Sequence, residues 1–276
     1  MGMRFSKMHG LGNDFVVIDG TVRPVDLPEG KIRALADRHR GIGFDQLLIL
    51  ERSTDADTFG YRIFNADGSP AEQCGNGLRC LARYIFDRGY ATGETVRFGN
   101  GTSAQEGRLA SDGRVTVDMG RPVLEPARIP FTAAERAASY TLDVNGLALT
   151  IGAVSMGNPH AVLRVDDIRA APVAELGPAI ENHPAFPHRA NVGFAEIAGR
   201  SRIRLRVWER GTGETLACGT GACAAVVWGR LMEWLDPVVE VELPGGKLEI
   251  GWAGPEASIW TTGPAVTVFK GEFHEQ

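Results

Sequence analysis

The sequence predicts an α/β fold of the α+β type, built as two pseudo-symmetric domains, each a helix against a curled, mostly antiparallel sheet. Three observations carry this. The chain repeats itself once; most of its strand-like runs are short and bounded by turn chemistry, with no regular βαβ alternation; and its two best helices both open just after a Cys-Gly-x-Gly motif.

The repeat governs the fold, since each copy specifies one domain. Ile63-Phe64-Asn65 through Cys74-Gly75-Asn76-Gly77 superposes without a gap on Val207-Trp208-Glu209 through Cys218-Gly219-Thr220-Gly221, at an offset of 144. Upstream, Gly12-Asn13 running into Phe15-Val16-Val17 matches Gly157-Asn158 running into His160-Ala161-Val162 at an offset of 145. A third island pairs His39-Arg40 with His188-Arg189 and Gly43-Phe44 with Gly193-Phe194, at offsets of up to 150. The seam falls near Gly120-Arg121-Pro122.

Taken in order, strand-like runs occupy Asn13 to Asp19, Asp45 to Glu51, Thr58 to Asn65, Arg114 to Met119, Tyr140 to Val144, His160 to Val165, Ile203 to Glu209 and Val238 to Leu243. The stretch Arg202 to Trp208 alternates charged and apolar residues, as a half-buried strand should. Asn145-Gly146, Ser111-Asp112-Gly113 and Pro244-Gly245-Gly246 carry tight-turn chemistry. Helices are expected over Gly77 to Arg88 and Gly221 to Trp234, with shorter ones near Gly30 to Arg38 and Val173 to Glu181.

Composition narrows the function classes. The 276 residues are 43% hydrophobic and 23% charged, which excludes disordered, collagenous and coiled-coil classes. A net charge of -5 with no basic block argues against a nucleic-acid partner. No run approaches the ~20 apolar residues of a membrane span and the N-terminus lacks an apolar signal core, so no membrane partner and a cytoplasmic protein are the expectation. The spacing of Cys74, Cys80, Cys218 and Cys223 suits neither a disulfide scaffold nor a zinc site, and no metal is expected. Only Lys7, Lys31, Lys247 and Lys270 could anchor a Schiff base, which weakens a pyridoxal reading.

Both repeated cysteines fall at or just before a helix N-terminus. There the first-turn N–H groups lack intrahelical partners and the macrodipole is positive, so the site stabilises a thiolate and can hold a carboxylate. Cys80 and Cys223 lie inside their helices and read as small buried hydrophobes. Duplicated domains tend to pack about a pseudo-twofold axis, so equivalent loops can face one another and present two thiols to one substrate. Inversion at a carbon bearing a proton needs such a pair: a base takes the proton on one face while an acid delivers one on the other. Asn13, Asn65, Asn158 and Asn191 sit in or beside the repeated islands, where each could bind substrate or simply make a turn. Arg210 could hold a carboxylate and Glu209 an ammonium, or the two could be solvated; His160 could equally be a satisfied histidine at a strand edge.

Met8 to Phe15, Asn65 to Ser69 with Cys74 to Arg79, Gly157 to His160, and Glu209 to Thr215 with Ala217 to Cys223 together resemble the diaminopimelate epimerase family over essentially the whole chain. The resemblance implies a small-molecule amino-acid substrate, LL- or meso-2,6-diaminopimelate, inverted at its α-carbon without pyridoxal phosphate or any other cofactor. It implies a central helix in each domain and an active site in the cleft between them. The first domain would be 1–119 joined by a returning C-terminal strand, 264–276, and the second 120–263. Cys74 and Cys218 fall on the family's acid/base pair, with His160 and Glu209 positioning the reacting ammonium and tuning the thiols. Asn13, Gln46, Asn65, Asn158, Asn191, Glu209 and Arg210 fall on its substrate-contacting positions, and Gly75, Asn76, Gly219 and Thr220 surround the reacting carboxylate. Gly193 departs from the pattern, which has a larger, often acidic residue there. A place in lysine and peptidoglycan precursor synthesis and a homodimer are implied by the same resemblance.

Three alternatives stay open on the residues alone. A proline or hydroxyproline racemase shares the fold but needs a smaller, more apolar pocket; a thiol redox protein would bridge Cys74 and Cys218; a binding module would hold an amino acid without exchanging its α-proton.

Overall fold

The computed structural model describes residues 2–53, 55, 58–71, 74–99 and 104–274. Among them are seventeen strands and four α-helices, divided between two compact units: 1–118 with 262–276, and 119–261. Glu72 and Gln73, in the loop leading to Cys74, lie outside the described residues.

The first unit holds β1 (Met3–Gly10), β2 (Asn13–Asp19), α1 (Glu29–Ala36), β3 (Gln46–Arg52), β4 (Thr58–Asn65), α2 (Gly75–Asp87), β5 (Thr95–Gly99), β6 (Ala104–Leu109) and β7 (Val115–Asp118), with β17 (Val266–Phe273) from the end of the chain. From β1 to β6 successive strands pair antiparallel, parallel, antiparallel, parallel, antiparallel; β7 adds to β6, and β17 to the free side of β1. The sheet curls around α2, which touches β1, β2, β3, β6, β7 and β17. Gly107 on β6 allows that approach, since a Cβ there would stand 2.8 Å from Ala82 of the helix. A second core lies on the other face, where Ile32 and Leu35 of α1 pack with Val16, Ile18, Leu47 and Ile49.

The second unit holds β8 (Tyr140–Val144), β9 (Leu147–Ser155), β10 (Pro159–Arg164), α3 (Val173–Glu181), β11 (Asn191–Gly199), β12 (Arg202–Glu209), β13 (Gly213–Thr215), α4 (Gly219–Leu231), β14 (Val238–Leu243) and β15 (Gly246–Trp252); the units divide within β16 (Ile259–Gly263). Through β9, β10, β11, β12, β14 and β15 the pairing runs antiparallel, parallel, antiparallel, parallel, antiparallel, the same series as in the first unit. The helix inside this sheet is α4, in contact with β9, β10, β11, β12 and β15. Gly152 plays the part of Gly107: a Cβ there would lie 2.3 Å from the Trp228 ring.

The strand register places the repeat more finely than the sequence does. Phe15 pairs with Gln46 and Gln46 with Asn65; His160 pairs with Asn191, which leads along β11 and β12 to Glu209. Gln46 is therefore the structural counterpart of Asn191, and the third island is out of register. Gly43 precedes β3, whereas Gly193 lies inside β11 opposite Val162 and Val207. The short identities around the two histidines belong to connecting segments of different length, where spacing is not constrained by pairing. At Gly193 a side chain would meet only ordinary contacts with Leu205 and Val162, so the strand passes through the glycine undisturbed.

Both main helices begin two residues before the sequence expectation, directly after Cys74 and Cys218, which are their N-caps. The strands β1, β5, β6, β9, β11, β13, β15 and β16 are absent from the sequence-predicted set. Their patterns explain it: residues 5–8 of β1 are buried on both faces yet include Ser6 and Lys7, while the last five residues of β9 are buried without alternation. At Asn145-Gly146 the expected two-residue hairpin forms, with φ of 55° and 83°; Leu11-Gly12 makes the same turn between β1 and β2, with φ of 57° and 87°.

Candidate active site

Within each unit the candidate residues gather at one end of three neighbouring strands. Asn13 opens β2, Gln46 opens β3 and Asn65 closes β4; then the loop to Cys74 leads into α2, whose first two residues are Gly75 and Asn76, both buried. In the second unit Asn158 and His160 stand at the start of β10, Asn191 opens β11 and Glu209 closes β12 ahead of Arg210; the loop to Cys218 leads into α4, beginning with buried Gly219 and Thr220. Parallel and antiparallel pairing in the same series brings the same strand ends together twice.

Around Cys74 the polar side chains form a directed chain. The thiol donates to Asn13 Oδ1 at 3.6 Å, and Asn76 Nδ2 donates to the same oxygen at 3.3 Å. The Asn13 amide nitrogen donates to Asp45 Oδ2 at 2.9 Å. On its other side, Asn76 Oδ1 accepts from Arg79 Nη2 at 2.6 Å. Gln46 and Asn65 form a neighbouring pair, Nε2 donating to Oδ1 at 3.1 Å, and the Gln46 carbonyl oxygen is buried with no hydrogen-bond partner among the described residues. Asp14 is embraced by Arg38 and Lys7; burial pushes its carboxyl up, but the two cations outweigh this and hold it well below the usual carboxylate range. Burial pushes the Tyr61 phenol up to about 12, with the Cys74 charge adding to it.

Around Cys218 the pattern differs. The sulfur accepts from the Gly221 N–H at 3.3 Å, capping α4, and lies 3.5 Å from the Thr220 hydroxyl. Asn191 Oδ1 accepts from the Arg210 backbone N–H at 2.9 Å and its Nδ2 donates to Pro159 O, so it ties the ends of β10, β11 and β12 together. The Arg210 guanidinium donates to His188 O, and Glu209 accepts from the Thr215 hydroxyl. His160 takes the place that Phe15 fills in the first unit, and both are fully buried. Burial, with the nearby Arg210 charge, drives its pKa down to about 3. Its Nε2 lies 2.9 Å from Asn158 Oδ1, while Nδ1 is buried without a partner.

All four cysteines are thiols, and burial pushes Cys80 up to about 12. Cys80 and Cys223 are fully buried. Among the described residues no group of three or more His, Cys, Asp or Glu is placed to hold a metal ion, and no helix is long and apolar enough to cross a membrane.

The family model described as diaminopimelate epimerase matches residues 5–125 and 152–268. The chain belongs to the diaminopimelate epimerase family. A diaminopimelate epimerase of Halorhodospira halophila is 60% identical over 98% of this chain and 94% of its own length. The diaminopimelate epimerase of Alkalilimnicola ehrlichii is 59% identical over 99% of both chains. The fold reaches further than the sequence family. A hydroxyproline epimerase of Agrobacterium vitis superposes with a TM-score of 0.70 at 16% identity, covering 98% of this chain and 92% of that one. A phenazine biosynthesis PhzF-family protein of Enterococcus faecalis gives 0.69 at 15% identity over the full length of both.

Sequence reasoning missed four residues that this member of the diaminopimelate epimerase family places against its candidate site. Among the described residues Arg79 has the largest fully buried side chain, and it bonds to Asn76. It was visible inside the first cysteine motif, yet an arginine in a helix is ordinarily exposed. Asp45 holds Asn13, and Arg38 bonds to Asp45 and Asp14 together. Glu181, buried at the end of α3, accepts from the Gly211 backbone N–H, Trp208 Nε1 and Arg189, and so fixes the turn that carries Arg210. No local motif announces Asp45 or Glu181, because the groups they hold, Asn13 and the Gly211 N–H, lie far away in the sequence.

Proposed function

We propose that this chain is a pyridoxal-phosphate-independent isomerase that interconverts LL- and meso-2,6-diaminopimelate by two-base inversion at the α-carbon. The observation that carries the reading is the pair of cysteines, each the N-cap of a buried helix in an equivalent place of a duplicated fold, in a chain about 60% identical to enzymes of that name. One thiolate removes the α-proton and the other thiol delivers a proton to the opposite face. After turnover the two protonation states are exchanged, so the same pair serves both directions.

An α-proton of an amino acid is far too weakly acidic for a thiolate acting alone, so charge developing on the carboxylate has to be stabilised. The first-turn N–H groups of α2 and α4, at Gly75, Asn76, Gly219 and Thr220, supply fixed donors for it. His160 is neutral at pH 7. With Asn158 Oδ1 accepting from Nε2–H, its Nδ1 lone pair is left to accept from an ammonium, and Glu209, at the end of β12, supplies the anionic charge for it. Arg210 and the amides of Asn13, Gln46, Asn65, Asn158 and Asn191 suit the second amino-acid end of the substrate. No lysine stands among these residues, in keeping with chemistry that forms no Schiff base.

Two further parts of the reading are a place in lysine and peptidoglycan precursor synthesis in the cytoplasm, and a homodimer. Exposed Val266, Val268 and Phe269 on β17 offer an apolar face for a second copy, and sedimentation at several concentrations tests for it. The activity is tested by supplying reduced protein with LL-diaminopimelate and no added cofactor. Formation of the meso isomer with proline left untouched is the expected outcome; turnover of proline in place of diaminopimelate overturns the assignment.

A further inference from the structure

We propose that Asp45 and Arg79 are positioning residues which lock the Asn13 and Asn76 amides so that the resting protein carries its proton on Cys74 and its thiolate on Cys218. The inference rests on the two-cysteine reading above and assigns the state from which that chemistry starts.

Hydrogen-bond polarity separates the two sulfurs. An asparagine amide can be turned either way, but a carboxylate only accepts and a guanidinium only donates. Asp45 Oδ2 accepts from Asn13 Nδ2 at 2.9 Å and from the Asp14 N–H at 3.0 Å. Arg38 donates to the other Asp45 oxygen at 2.8 Å, fixing the carboxylate in place. Asn13 must then turn Oδ1 toward Cys74. From the opposite end Arg79 donates to Asn76 Oδ1 at 2.6 Å, so Asn76 must turn its NH2 toward that same Asn13 oxygen, at 3.3 Å. Arg79 is itself held by carbonyls, Gly75 O and Pro264 O, both at 3.5 Å, and is fully buried. Both ends of the chain therefore force an acceptor onto the Cys74 sulfur. An acceptor stabilises the S–H form, because a thiolate at 3.6 Å from an amide oxygen would face a lone pair.

At Cys218 the polarity is opposite. A backbone N–H, which can only donate, points at the sulfur from Gly221, and the Thr220 hydroxyl at 3.5 Å is free to rotate its proton toward a thiolate. Donors stabilise the charged form. The two helix dipoles favour a thiolate equally, so they do not decide between the sites.

Among the described residues, further charged and titratable groups on the elements around Cys74 include Lys7 and Asp14 from β1 and β2, Arg38 after α1, Tyr61 on β4, and Arg79 and Cys80 on α2. Lys7 and Arg38 balance Asp14 and Asp45. Arg79 opposes the proposal through its charge while supporting it through its bonds, so the test has to separate the two. Among the site residues of the second unit the charged or titratable side chains are His160, Glu209 and Arg210.

The experiment is alkylation of the reduced protein with iodoacetamide across a pH series, without substrate, following Cys74 and Cys218 separately by peptide mass mapping. Restricted access scales each rate, whereas the midpoint reports the thiolate and includes the cost of burying its charge, which is greater at Cys218 and works against the proposed order. We expect the Cys218 midpoint to lie about one pH unit or more below that of Cys74, a tenfold difference in proton affinity. Asn13→Ala removes the acceptor without changing charge and should lower the Cys74 midpoint while leaving Cys218 in place. Asp45→Asn should lower it too, and that shift should vanish in the Asn13→Ala background, which a purely coulombic effect would not do. A Cys74 midpoint at or below that of Cys218 in the unaltered protein overturns the proposal, and so does a Cys74 midpoint that ignores Asn13→Ala. The order of midpoints needs no variant to fold. Because no substrate is present, failure to turn over diaminopimelate would overturn the proposed activity alone, whereas a reversed order with turnover intact would overturn only this assignment.

Discussion

At the head of α2 the Cys74 thiol donates to Asn13 and is partly exposed, while at the head of α4 the Cys218 sulfur accepts from the Gly221 N–H and is buried. The two loops share their length, their following helix and their strand context, so the difference does not arise from the fold. It comes from three substitutions at equivalent places. Asn76 reaches out to Asn13 where Thr220 turns back to its own cysteine; Arg79 fills the position of Cys223; and Phe15 fills that of His160. Duplication supplied two alike pockets, and a few side chains made one of them an acceptor environment and the other a donor environment. For a reaction that needs an acid and a base of the same residue type, this divergence is the useful part of the repeat.

The comparison can be broken most directly by removing either sulfur. Cys74→Ala and Cys218→Ala should each lower the rate of meso-diaminopimelate formation by about a thousandfold or more, since each removes one proton-transfer partner. An equal and small effect on both would mean that the sulfurs are not the acid and base.

A second test exploits Arg79 against Cys223. Truncating the arginine in Arg79→Met leaves Asn76 Oδ1 and two carbonyls without their donor and should cost about 1–3 kcal/mol in urea unfolding. Cys223→Ala, at the same helical place, removes one apolar atom and should cost less, about 1 kcal/mol.

His160 sets the third. Its folded pKa lies near 3 and its unfolded pKa near 6.5, so the unfolded chain binds the extra proton first as pH falls. The stability tied to it is fully present above about 6.5 and is lost progressively toward 3, amounting to about 2 kcal/mol at pH 5. His160→Phe, which installs the residue of the first unit, should remove that slope in a stability series from pH 7 to pH 5. The slope from Asp14, whose carboxyl is held low, enters only below about pH 4, as that group protonates in the unfolded chain.

The smallest effect separates two glycines. A Cβ at Gly221 would lie 3.2 Å from the Cys218 sulfur and 3.1 Å from Val207, whereas one at Gly77 would first meet carbon atoms, of Phe15 at 3.1 Å and Leu48 at 3.6 Å. Gly221→Ala should therefore slow turnover by roughly tenfold through the displaced sulfur, with Gly77→Ala felt in thermal stability more than in rate.

Much of this was legible in the sequence for a physical reason. A gapless repeat across a strand, a loop and a helix start preserves spacing, so Asn65 with Cys74 and Glu209 with Cys218 could be matched by eye. Where connecting segments vary in length the matching failed: His39 and His188 share a neighbour by chance of composition, and the pairing of Gln46 with Asn65 set the register instead. Strands buried on both faces were hidden too, since β1 keeps Lys7 inside through its bond to Asp14 and loses its alternation. Arg79, Asp45 and Glu181 were illegible because their meaning lies in what they touch, from 3 to 32 residues away in Asn76, Gly211 and Asn13.

The most direct test of the two-base account is to run LL-diaminopimelate in D2O with the reduced protein and to read the α-deuterium of substrate and product separately during the first turnovers. Two thiols acting on opposite faces predict meso product carrying deuterium at the inverted carbon while the remaining LL substrate carries none. Deuterium entering substrate as fast as product would contradict the account, since one group would then be removing and returning the proton on the same face.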